Sequence, residues 1–208
     1  MSPRSALRLS LASLALCVVL AGLAGAARAD AHDWRAALAA TVDGGVPGSA
    51  ADAKRRLADV SGAEKVVEDA NTRYPDGDRP ASRAAAELVF AHDRALAVSL
   101  QTRLNGGADG AARLVAAAAD LLRSERRTVE VMLGDARLLA ATAADATSLD
   151  QGERFHAQAL AAWRKGEPVS AVGHFRQAVD RAFDVLARHG VAYDGTSDRD
   201  GDGVPDVL

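Results

Sequence analysis

The sequence predicts an all-α fold: an antiparallel helical bundle or short α-solenoid followed by an acidic tail. Three observations carry this. Alanine fills 48 of the 208 positions and isoleucine is absent. Aromatic residues make up 4%, too few for a β-sandwich or barrel, which draws on aromatic and β-branched side chains. Apolar residues recur every three or four positions over long stretches that are separated by short Gly- and Pro-containing turns. With 49% hydrophobic and 25% charged residues, the chain can bury a core and is not a wholly disordered polymer.

Residues 1–29 read as a signal peptide. Arg4 and Arg8 form a positive start, an apolar run follows from Leu9 to Ala24, and Ala27-Arg28-Ala29 supplies a small-x-small cleavage site before Asp30. The apolar run is short for a membrane span, so no span is expected after cleavage; a retained anchor is the alternative. Leu16 is too large to precede a lipidated Cys17, and the only cysteine therefore leaves with the signal. The expected product is exported (periplasmic, cell-surface or secreted) and has no disulfide. Cleavage removes three Arg and no acid, leaving 22 basic against 28 acidic residues, a net charge of −6. That balance argues against nucleic acid and against an anionic membrane surface as partner.

The domain is expected over residues 30–190. His32 to Val42 carries Trp34, Leu38 and Val42 at four-residue spacing, a short amphipathic helix. Gly44 to Gly48 breaks it. Ala50 to Arg73 continues helically, with a break at Ser61-Gly62, where Ser61 and Glu64 have capping-box spacing. Tyr74 to Asp78 is a turn, and Pro80 suits the first turn of the next helix. That helix, to Asn105, lines up Leu88, His92, Leu96, Leu100 and Leu104 on one face, and Gly106-Gly107 ends it. Asp109 opens a long helical run to Ala146, with Gly134 as its weak point. Ser148 and Gln151 have capping-box spacing and start a helix to Lys165. Gly166 turns the chain, Pro168 opens the last helix and His189-Gly190 closes it. Short turns between long helices imply antiparallel neighbours.

Phe155, Ala159, Gly166, Ala171, Phe175 and Ala178 fall in a pattern of large, small, turn, small, aromatic and small residues. Residues 152–186 thus resemble a single tetratricopeptide repeat, a 34-residue helical hairpin. Ala162 and Phe183 depart from that pattern, and no second copy occurs in residues 30–150. The resemblance implies a protein-interaction role. A lone repeat lacks the groove that three or more stacked units create, and a well-packed Ala-rich hairpin explains the same residues.

The sharpest chemical pattern is Asp198-Arg199-Asp200-Gly201-Asp202-Gly203-Val204-Pro205-Asp206. Carboxylates at loop positions 1, 3, 5 and 9, with Gly at 6, match a calcium loop. Alternate residues of a tight loop point inward, and a hard dication needs six to eight oxygens. Asp198, Asp200, Asp202 and Asp206 would supply side-chain ligands and Val204 its carbonyl. The segment from 198 to 208 resembles a thrombospondin type 3 repeat more than an EF-hand, because Pro205 has no N–H for an EF-hand bridge. The resemblance implies an extracellular Ca2+-binding unit. Position 12, an acid in such loops, would be residue 209, one past Leu208, so weak binding is expected, with Kd on the order of 10⁻⁴–10⁻³ M.

Other candidates read as structural. His156 and His174 flank Gly166 and could come level across the hairpin, although a shared metal would need further ligands. His92 reads as a hydrogen-bonded core or boundary residue, and His32-Asp33 as an adventitious metal contact. Trp34 and Trp163 read as packing anchors, and Ser124-Glu125-Arg126-Arg127 as a solvated helix face. No phosphate loop, HExxH or GxSxG occurs, and no cysteine follows residue 29. The sequence therefore favours a non-enzymatic exported scaffold or interaction protein with an envelope partner and a weak calcium loop. The alternative is an exported helical enzyme or small-ligand binder whose site is built from scattered residues.

Overall fold

The computed structural model describes residues 34–45 and 48–191. The described residues form seven helices and no strand: α1 (34–39), α2 (Ala50–Arg55), α3 (Glu64–Arg73), α4 (Arg83–Asn105), α5 (Ala111–Leu139), α6 (Ala143–Arg164) and α7 (Pro168–Arg188). The predicted all-α class is the observed one.

α7 is the central helix and packs on α4, α5 and α6. Its buried stripe is Ala171, Val172, Phe175, Ala178, Val179, Ala182, Phe183 and Leu186, a three-and-four repeat covering one face. α6 pairs with it most extensively. Gly152 allows this approach, because a Cβ there would lie 2.7 Å from Leu133 Cδ2 and 3.5 Å from the Ala178 carbonyl oxygen. Gly166 joins the pair at φ 69°, in the left-handed region that favours glycine. α1 covers this turn: Arg35 sits against Gly166, and the Trp163 indole N–H donates to the Leu38 carbonyl and the Thr41 hydroxyl, both at 3.1 Å. Trp34, Leu38 and Val42, the predicted stripe, are all buried.

On the other side of the bundle, α2 lies on α5 and α3, and α3 lies on α4. Asp78 fixes the intervening loop, accepting the Ala50 N–H at 2.9 Å and the Arg127 guanidinium at 2.9 Å. Arg79 reaches Asp135 on α5 at 2.8 Å.

The structure corrects several predicted boundaries. No side chain caps α3, so the Ser61 box is absent; Glu64 only accepts the Gly62 N–H. α4 starts after its N-cap Ser82 rather than at Pro80. Leu88 is 44% exposed, because the buried stripe runs through Ala85, Val89, Phe90, Asp93 and Leu96 instead. The long run after Asp109 breaks at 140–142, not after Ala146, and Ser148 lies inside α6. Thr142 and Asp145 form the capping box there. Asp145 also receives Arg188 and His189 from the end of α7, and Arg188 reaches Ser148 Oγ as well, at 2.8 Å.

Candidate functional site

A cluster of fully buried ionisable groups lies inside the bundle. Lys54 on α2 extends its ammonium between two carboxylates, donating to Asp93 Oδ2 on α4 and to Glu125 Oε1 on α5, the latter at 2.5 Å. All three side chains are completely removed from solvent. Tyr74, at the end of α3, walls one side with its ring centroid 5.8 Å from Lys54 Nζ. Ser124 Oγ donates to the Ala50 carbonyl at 3.2 Å and ties α5 to α2 beside the triad.

Two carboxylates and one ammonium make a net charge of −1 in a dry site, where unpaired charge is costly. Asp93 Oδ1 and Glu125 Oε2 are buried with no hydrogen-bond partner among the described residues. Burial pushes the Asp93 carboxyl above its usual range, against the pull of Lys54. Burial likewise raises the Tyr74 hydroxyl.

Next to Asp93, His92 turns outward and shares its Nδ1 with Asp69 on α3. Burial works to raise the Asp69 carboxyl, but the hydrogen bonds from His92 and Arg73, the latter at 3.1 Å, outweigh it and hold the group low. His92 is thus the hydrogen-bonded boundary residue expected of it. His156 and His174 each engage an aromatic ring of the facing helix, Phe175 at 6.0 Å and Phe155 at 6.4 Å, and His174 also contacts Gln177. Burial lowers the His156 pKa. No group of three or more His, Cys, Asp or Glu among the described residues is placed to hold a metal ion.

The expected solvated face at Ser124–Arg127 is wrong for its first two members. Ser124 and Glu125 are fully buried, while Arg126 and Arg127 reach Glu130 and Asp78. Helical spacing carried the missing signal. Lys54 lies three and four residues after Ala51 and Ala50, Asp93 after Phe90 and Val89, and Glu125 after Leu122 and Leu121. Each charge therefore interrupts an apolar stripe. The predicted calcium ligands Asp198, Asp200, Asp202, Val204 and Asp206, and the His32-Asp33 pair, lie outside the described residues.

A surface groove of about 650 Å³ runs between α4 and α7, lined by Phe90, Arg94, Gln101, Val169, Val172 and Arg176 among others. Arg176 pairs with Glu87 at 2.8 Å, whereas Arg94 is exposed and makes no ion pair among the described residues. Val98, 46% exposed, adjoins it on α4. No helix among the described residues is long and apolar enough to cross a membrane.

The chain matches no protein-family model, no curated protein and no solved structure.

Proposed function

We propose that the chain is an exported, non-enzymatic helical scaffold that binds an envelope protein, and that its acidic terminus is a weak Ca2+ loop. The observation that supports this best is the contrast between a sealed interior and an open surface groove. The groove has an apolar floor at Phe90 and Val172 and, at Arg94, a cation with no ion-pair partner among the described residues. That combination suits a protein segment carrying an acidic side chain beside an apolar one. A pull-down from an envelope fraction should recover a partner that Arg94→Glu loses; capture unchanged by this substitution would remove the groove from the proposal.

An enzyme or small-ligand binder built from scattered residues has less support. Catalysis needs converging groups that substrate can reach, and the Lys54 triad is closed to solvent.

The calcium proposal rests on sequence spacing. Asp198, Asp200, Asp202 and Asp206 with the Val204 carbonyl would neutralise one another's repulsion through a shared dication. Terbium luminescence on the exported chain should report one weak site that Asp200→Ala/Asp202→Ala abolishes. A flat titration at millimolar calcium would remove the ion from the proposal and leave the groove untouched.

A further inference from the structure

We propose that Lys54 and Asp93 condense into an intramolecular amide, with Glu125 as the proton carrier, so that the mature fold is covalently cross-linked between α2 and α4.

The three parts of such a reaction are already assembled. Lys54 is an amine nucleophile held without water. Its Nζ is hydrogen-bonded to Asp93 Oδ2, which places the nitrogen beside the carboxyl carbon it would attack. Glu125 Oε1 stands 2.5 Å from the same nitrogen, within reach of the proton the nitrogen must lose. Tyr74 closes the wall, and its neighbour across the site, Asp93, is fully buried. Pre-organisation of this kind is equivalent to effective concentrations of about 10⁵ M or more.

The chemistry balances without a cofactor. Proton transfer from the Lys54 ammonium to the Asp93 carboxylate gives an amine and a carboxylic acid, a pair with no charge to desolvate. The amine lone pair attacks Asp93 Cγ, and Glu125 takes a proton from Nζ. The tetrahedral carbon then expels its hydroxyl, which leaves as water with the proton returned by Glu125. One N–C bond forms, one C–O bond breaks, one water departs, and Glu125 ends as it began.

The product leaves one buried ionised group, the Glu125 carboxylate, where the triad has three. Asp93 Oδ1, which has no hydrogen-bond partner among the described residues, becomes an amide carbonyl oxygen, and the new N–H stands where the ammonium met Glu125 Oε1. The bond closes a loop across a separation of 39 residues, the constraint a disulfide would supply in a chain whose only cysteine is Cys17.

Denaturing intact-mass spectrometry on the purified full chain tests this directly. The native sequence should run about 18 Da below its calculated mass, the loss of one water in amide formation. Trypsin should release a branched peptide joining residues 36–55 to 84–94. Lys54→Arg, Asp93→Ala and Glu125→Gln should each show their full calculated mass. Because the native chain is itself the sample, a variant that fails to fold does not blunt the test: full mass and no branched peptide from folded native protein would overturn the proposal.

Discussion

Lys54 and Glu125 are separated by 71 positions in the chain and meet at 2.5 Å in a part of the bundle that water does not reach. Through Asp93 the same lysine also holds α4. One side chain of the six-residue α2 therefore pins together two of the longest helices.

Removing that side chain should be severe. Lys54→Met removes the cross-link and leaves two carboxylates buried without a cation, and stranding buried charge in this way costs about 3–5 kcal/mol. Urea unfolding should also show that Lys54→Met/Asp93→Leu/Glu125→Leu is more stable than Lys54→Met alone, because the triple variant has no stranded charge. Equal stability of the two variants would mean that the carboxylates are not desolvated as the structure has them.

Acid should withdraw the support that Asp145 gives the end of α7. Arg188 and then His189 hold the buried Asp145 carboxyl far below the usual range, helped by the Thr142 hydroxyl and the Ala141 N–H and opposed by burial. A carboxyl that is depressed in the folded state contributes stability fully above its unfolded value of about 3.9 and loses it as pH falls through the folded value. Asp145→Asn should therefore be less stable than the native chain at neutral pH, with the gap narrowing from about pH 4 downward. A gap independent of pH would show that the carboxyl's charge contributes nothing.

Gly166→Ala should destabilise the hairpin by about 1–3 kcal/mol, the range for a non-glycine residue forced into the left-handed region. The added Cβ would also meet Arg35 Cβ at 2.6 Å and its Cα at 2.8 Å, so α1 must move. Thermal melting followed by the fluorescence of Trp34 and Trp163, which both adjoin the turn, reports both effects. Gly173→Ala is the control on the same hairpin, since a Cβ there would meet nothing within 4 Å and no positive φ is involved.

Trp163→Phe keeps most of the ring but deletes the indole N–H that ties α6 to the Leu38 carbonyl and the Thr41 hydroxyl, while the Leu38 carbonyl keeps the Thr41 N–H and hydroxyl as donors. Loss of about 0.5–1.5 kcal/mol is expected, the net range for one intramolecular hydrogen bond. Denaturant titration checks it, and Trp163→Leu should cost more because it also opens a cavity.

The fold class and most turns were legible because local rules decide them. Gly166 needs a left-handed backbone, Pro168 fits the first turn of α7, and the Trp34, Leu38 and Val42 spacing describes one buried face. Where two local signals competed, tertiary partners chose between them. Thr142 and Ser148 both stand three residues before a suitable acceptor; Arg188 reaches Asp145 and Ser148 alike, and His189 engages Asp145. Glu125 was misread because it belongs to the charged run Ser124–Arg127, whose composition resembles a surface. Composition conceals the fact that consecutive helical residues point about 100° apart, so that Glu125 faces α2 while Arg126 and Arg127 face outward. No sequence rule pairs Lys54 with Asp93 and Glu125, since that pairing arises only when three helices converge.

The chain contains only three lysines, Lys54, Lys65 and Lys165, which makes NMR on protein labelled with ¹⁵N at the lysine side chain the most direct test of the covalent triad. One amide N–H signal, coupled to the Asp93 side-chain carbonyl carbon and accompanied by two ammonium signals, is the expected spectrum. Three ammonium signals with no such coupling, from folded protein, would contradict it.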